Sequence, residues 1–184
     1  MRDEVRADAL LASLEEEHKG KLKVFLGAAP GVGKTYAMLQ AVREQAKEGV
    51  DILIGVVETH GRQETLALLD KLAIQPRKLH HHRQQRLEEM DLDGLLERKP
   101  AIVVVDELAH TNAPGSRHEK RWQDVEELLG AGIDVYSTLN VQHLESLNDL
   151  VWQLTGVRVK ETLPDQVLLE ADSIVLIDLP PKEI

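Results

Sequence analysis

Hydrophobic positions along this chain alternate between short β-type runs and longer stretches of helical spacing. Apolar or β-branched runs at 21–26, 51–57, 101–105, 133–139 and 173–178 read as strands. Between them, apolar residues recur every three or four positions over 33–48, 65–72, 92–98, 121–129, 141–154 and 164–171, which predicts helices. Residues 5–18 read as a leading amphipathic helix, with Leu10, Leu11 and Leu14 on one face and Gly20 as its stop. Residues 76–82 are expected to form a short edge strand. Gly49 closes the helix over 33–48, Pro100 stops that over 92–98, and 111–118 reads as a loop rich in Asn, Pro, Gly and Ser.

Strands that alternate with helices predict an α/β fold, and the run Ile102-Val103-Val104-Val105 is apolar at every position, as a strand covered on both faces must be. The expected architecture is a three-layer sandwich around a mostly parallel sheet of about five strands. Residues 1–19 form the leading helix and 20–184 a single nucleotide-binding domain, with no internal repeat and no composition break inside it.

Composition narrows the function. Of 184 residues, 42% are hydrophobic and 29% charged, an ordinary globular balance. No apolar run approaches the roughly 18 residues that cross a bilayer, and the acids at the N-terminus do not suit a signal peptide. There are no cysteines, which excludes disulfides, thiolate metal sites and a Cys nucleophile. With 22 Lys and Arg against 32 Asp and Glu the formal charge is −10, which argues against a general nucleic-acid surface. It does not argue against a locally positive phosphate pocket.

The segment Gly27-Ala28-Ala29-Pro30-Gly31-Val32-Gly33-Lys34-Thr35 fits [AG]-x-x-x-x-G-K-[ST] from Ala28 onward. Glycines at 31 and 33 let backbone N–H groups wrap phosphate oxygens, and the helix that starts there adds a partial positive charge. Ala28, Pro30, Gly31, Val32 and Gly33 would form this cradle. Lys34 would reach the β- and γ-phosphates of ATP, and the Thr35 hydroxyl would bind Mg²⁺. Context supports the motif, because a strand precedes it and a helix follows.

A second half of the site is expected at the end of the IVVV run. Asp106 follows it in the Walker B manner and would hold Mg²⁺ with Thr35. Glu107 comes next and would serve either as the general base for an attacking water or as a brace for the neighbouring loop. Asn140 ends the predicted strand 133–139. In one large division of phosphate-loop proteins such a residue senses the γ-phosphate from a strand inserted between the other two motif strands. Asn140 would also serve as a cap for the helix from Val141.

Weaker signals lie nearby. Arg62 follows strand 51–57 on the side where doubly wound sheets bind ligands, and would contact phosphate or a partner, or else be a solvated loop charge. The loop 110–121 carries His110, Arg117, His118, Lys120 and Arg121, which would sense the nucleotide or supply an arginine finger. His80, His81 and His82 do not suit a metal site, because neighbours on a strand point to opposite faces. Trp122 and Trp152 are expected in the core or an interface, and there is no N-K-x-D stretch for guanine.

The strings GKLKVFLGAAPGVGKT (20–35), GVVETHGRQET (55–65), DELAHTNAPGSRHEKRWQDVEELLGAGIDV (106–135) and STLNVQHLESLND (137–149) resemble the KdpD family of bacterial potassium- and osmolarity-responsive sensor histidine kinases. The resemblance is to the amino-terminal cytoplasmic domain and covers 20–181. It implies an ATP-binding input domain that tunes the kinase and phosphatase activities of a distant catalytic core. It also implies other domains of the same kinase as partners, and the response regulator KdpE as a partner of the full-length protein alone. The expected location is cytoplasmic, as part of an inner-membrane protein. This chain has no membrane helices and no phosphoacceptor histidine region, so none of its histidines is expected to be autophosphorylated.

Overall fold

The four residues of the IVVV run are all buried, and they sit near the centre of a sheet whose other strands run parallel to them. The computed structural model describes residues 2–28 and 33–177. In chain order the elements are α1 (Arg2–Glu17), β1 (Leu22–Gly27), α2 (Lys34–Lys47), β2 (Ile52–Val56), α3 (Gln63–Leu68), β3 (Ala73–Ile74), β4 (Lys78–His82), β5 (Gln85–Glu89), α4 (Leu92–Arg98), β6 (Ile102–Val105), α5 (Arg121–Gly130), β7 (Asp134–Asn140), α6 (Glu145–Thr155), α7 (Asp165–Leu169) and β8 (Ser173–Ile177).

Six strands pair in the order β3-β2-β6-β7-β1-β8, every pair parallel. Helices cover both faces, giving the expected three-layer α/β sandwich of P-loop NTPase-like form. The strand beyond the expected five is β3, a two-residue edge. Because side chains alternate across a strand, the sheet feeds two cores. Leu22, Val24 and Leu26 of β1 join Val103, Val105 and Val135 with Leu95 of α4 and Val125, Leu128 and Leu129 of α5. Phe25, Ile52, Ile54, Ile102 and Val104 join Met38, Leu39 and Val42 of α2 on the other side.

Three expectations are corrected. The segment 76–82 is not an edge of the main sheet. Its residues Lys78–His82 pair antiparallel with β5 in a separate two-stranded ribbon, and His80 faces Leu87 there. The turn between the strands places Arg83 and Gln84 at φ 48° and 65°, the left-handed geometry of a two-residue hairpin normally written with Asn or Gly. Without those residues the turn carries no sequence signature.

The helix expected over 141–154 is broken. Val141–His143 form one 3-10 turn, and Leu144 returns to extended backbone before α6 begins. What competes with the helix is a strap: Leu163 N–H donates to His143 C=O at 2.7 Å and Glu145 N–H to Leu163 C=O at 3.0 Å. Leu163 is fully buried, so its side chain holds the strap in the core.

Gly20 does more than end the leading helix, which already stops at Glu17. Its N–H donates to Leu129 C=O at 2.8 Å, and a Cβ there would lie 1.9 Å from the Ile133 carbonyl oxygen. The position is a close backbone crossing that only glycine fits. The leucines Leu10, Leu11 and Leu14 of α1 are exposed.

Candidate functional site

Parallel strands bring their carboxyl ends to one edge of the sheet, and the order β6-β7-β1 sets the ends of three of them side by side. Gly27, the last residue of β1, is in register with Asn140, the last of β7. Asp106 follows β6. The insertion of β7 between β1 and β6 is the arrangement expected from Asn140. A pocket at this edge is lined by Gly33, Lys34, Thr35, Arg62, Asp106, Glu107 and Asn140, together with Glu58, His60, His110 and Thr138.

Of the residues singled out in the sequence, Ala28 lies in an exposed bend after β1. Pro30, Gly31 and Val32 lie outside the described residues. Gly33 caps α2 at φ 89°, a left-handed conformation that penalises any side chain. Lys34 and Thr35 open α2. The Thr35 hydroxyl donates to the Asp106 carboxylate, 3.2 Å from Oδ1 and 3.1 Å from Oδ2. Arg62 precedes α3 and lines the same pocket with an exposed side chain.

The Asp106 carboxylate is 1% exposed and held from several directions. Glu58 N–H donates to Oδ2 at 3.0 Å, and the Thr138 hydroxyl donates to Oδ1. Its own N–H donates to Val56 C=O at 2.9 Å. The donors to the carboxylate fix its direction. Glu107 then turns sharply at φ 57°, rare for a residue with a side chain. Its N–H donates to the Thr138 hydroxyl at 2.9 Å, and Leu108 N–H donates to Thr138 C=O at 2.9 Å. The Glu107 carboxylate lies 3.8 Å from His60 Nε2.

Burial is the largest influence on both ionisable groups of this pocket that shift. It lowers the Lys34 ammonium below its ordinary value, with Asp106 and Glu107 opposing and Arg62 adding to the fall. It raises the Glu107 carboxyl above its ordinary value, helped by the charges of Asp106 and Glu58 and opposed by Arg121 and His60. A partly desolvated cation among carboxylates is an environment that favours an incoming anion paired with a divalent cation.

The helix-cap reading of Asn140 is corrected. Its side chain makes no capping hydrogen bond, and its Oδ1 is buried with no partner among the described residues. A buried amide oxygen that nothing satisfies costs free energy, and here it belongs to a residue lining the pocket.

The cations of the loop after Asp106 are held within the fold rather than offered to the pocket. Arg121, 2% exposed, donates to Asp106 C=O at 2.8 Å and lies 3.5 Å from Glu89. Lys120 Nζ donates to Ala109 C=O at 2.7 Å and the Thr111 hydroxyl at 2.9 Å. Arg117 pairs with Asp93 and Glu127, and His118 with Glu127 at 2.9 Å. His110 alone of the group lines the pocket. Trp122 packs against the core as expected, whereas Trp152 is exposed and stacks on Arg158 at 4.5 Å.

Sequence reasoning missed Thr138, Glu58 and Glu89. A signal existed for the first: Ser137-Thr138 are polar residues inside an otherwise apolar strand, and both are buried. Glu89, 7% exposed at the end of the ribbon, accepts from His110 Nε2 at 3.0 Å and Ala113 N–H at 2.9 Å. Nothing local in the sequence marks it.

Comparison with known proteins places the chain. The family described as "KdpD: Osmosensitive K+ channel His kinase sensor domain" matches residues 18–184. The chain belongs to the KdpD family. It is 56% identical over 177 residues to the sensor protein KdpD of Escherichia coli, covering 96% of this chain and 20% of that protein. The sensor protein KdpD of Clostridium acetobutylicum is 52% identical over 179 residues, 95% of this chain and 20% of the relative. That of Mycobacterium tuberculosis is 50% identical over 166 residues, 90% and 19% respectively. The chain thus spans about a fifth of the length of these KdpD relatives. Among the described residues, no helix is long and apolar enough to cross a membrane.

Proposed function

We propose that this chain is a regulatory domain that binds Mg-ATP, within a sensor kinase of the KdpD family. The single observation that carries the reading is the contact between Thr35 and Asp106. A hydroxyl directly after Lys34 hydrogen-bonds a strand-end carboxylate 71 residues away, both facing one pocket. This is the donor set for a hard divalent ion, hydroxyl and carboxylate oxygens with room for phosphate oxygens and water. The residues present fit the group. Thr35 and Asp106 would hold Mg²⁺, Lys34 and the backbone from Ala28 to Gly33 would hold the phosphates, and Asn140 would turn its unsatisfied amide oxygen toward the bound water shell. Bound Mg²⁺ supplies charge neutralisation for the phosphates.

In the whole protein this domain would tune the balance of kinase and phosphatase activity in a two-component system for potassium. Its partners would be the other domains of that kinase and, through them, the response regulator KdpE. Its place would be the cytoplasmic side of an inner-membrane protein. Binding energy suffices for such tuning: a ligand at 10 to 100 times its Kd contributes about 1.4 to 2.7 kcal/mol to the state that binds it. Calorimetric titration of Mg-ATP, with GTP as competitor, tests the reading. Saturable heat that disappears in Lys34→Ala supports it; equal binding by Lys34→Ala, or none by a folded wild-type chain, defeats it.

A second reading, slow ATP hydrolysis with Glu107 as general base, is favoured by the raised Glu107 carboxyl beside the pocket. Glu107→Gln separates the two readings, since a base mutant keeps binding and loses turnover.

A further inference from the structure

The β4–β5 ribbon carries a charge opposite to that of the chain around it. Residues 77–89 contain Arg77, Lys78, Arg83 and Arg86 against Glu88 and Glu89, in a chain of formal charge −10, and both acids lie at the root. Arg77 is engaged at the root of the ribbon, donating to Val57 C=O at 3.1 Å and pairing with Glu58 at 3.3 Å. Lys78, Arg83 and Arg86 are exposed. None of the three has an ion-pair partner among the described residues, and Glu88, on the same face as Arg86, does not pair with it.

Register sets His81 directly against Arg86 and Leu79 against Glu88, so these residues share one face, with Arg83 at the turn beyond them. Leu79 is 43% exposed. Lys78 lies on the opposite face, against Glu89, while this face carries Glu88 toward the root and Arg86 and Arg83 toward the turn, so its cations outnumber its acids only toward the tip. An isolated two-stranded ribbon is marginal in water. This one is fixed at both ends of its root, by Arg77 on the segment 57–58 and by Glu89 on His110 and Ala113. The fold thus presents an apolar residue and a basic tip on a braced support.

We propose that the β4–β5 ribbon is a docking surface for an acidic protein segment. The chain's own charge favours a protein segment over an anionic bilayer. Screening over a Debye length of about 8 Å lets a narrow acidic segment meet the ribbon alone, whereas a flat bilayer would also face the surrounding excess of carboxylates. The proposal goes beyond the nucleotide reading and does not depend on it.

The test is fluorescence anisotropy with a labelled Glu-rich peptide and no nucleotide present, so its outcome is independent of ATP binding. Saturable binding that weakens as salt rises, and that falls roughly tenfold or more in Arg83→Glu/Arg86→Glu, is the expected result. The milder Arg83→Gln/Arg86→Gln pair, checked by circular dichroism, should show a smaller loss in the same direction and guards against misfolding of the reversed variant. No saturable binding, equal binding by folded variants, or binding to phosphatidylserine vesicles in preference to the peptide would overturn the proposal.

Discussion

The Thr138 hydroxyl accepts from the Glu107 N–H at 2.9 Å and donates to the Asp106 carboxylate, so one side chain on β7 fixes both acids that follow β6. Glu107 sits in left-handed backbone that costs free energy, and this bond helps hold it there. Thr138→Val keeps the shape and removes both bonds. It should cost about 1–3 kcal/mol of stability, because Asp106 and the Glu107 N–H lose a buried partner. Thr138→Ser should recover most of it. Urea unfolding of the three proteins checks this, and a neutral Thr138→Val would mean that the hydroxyl does not hold the turn.

Glu89 ties the end of the ribbon to the loop bearing His110. Burial alone would raise its carboxyl, but the hydrogen bond and charge of His110, the charge of Arg121 and the Ala113 N–H outweigh it and leave it below the ordinary 4.5. A carboxylate lowered on folding stabilises the native state above its unfolded value, and this contribution fades as pH falls through the lowered folded value. Glu89→Gln should therefore cost on the order of 3 kcal/mol at neutral pH, where it leaves Arg121 buried beside a neutral amide. The gap between variant and wild type should narrow as pH drops well below 4.5, as read from urea midpoints across that range.

Should the domain hydrolyse ATP, the raised Glu107 carboxyl fixes the acid limb of its rate profile. The base works only when ionised, so turnover should begin to fall at a pH above the ordinary carboxylate value of 4.5. Glu107→Gln should abolish that limb together with turnover. A limb unchanged by the substitution would assign it to another group.

Gly20 crosses the Ile133 carbonyl too closely for any side chain. Gly20→Ala should destabilise by about 2–3 kcal/mol, through forced backbone displacement where α5 feeds β7. Gly130→Ala, whose Cβ would meet nothing within 4 Å, is the control and should lie close to wild type. Thermal unfolding of both variants decides it.

Much of this protein was legible in the sequence because it depends on neighbours along the chain. Period-two and period-3.6 patterns located the five main strands and most helices, down to the bounds 92–98 of α4. The spacing of Lys34, Thr35, Asp106 and Asn140 named residues that do gather at one pocket, since successive parallel strands must end at the same sheet edge. What the chain could not declare locally was left to tertiary contacts. The strap through Leu163 broke the helix expected after Asn140, and a hairpin turn without Gly or Asn made a separate ribbon of 78–89. Thr138 and Glu58 became site residues, and Glu89 a brace behind the site, because hydrogen bonds spanning 24 to 48 positions pair them with Asp106, Glu107 and Ala113. Such pairings are set by which backbone atoms the folded sheet brings within about 3 Å, a distance no periodicity encodes.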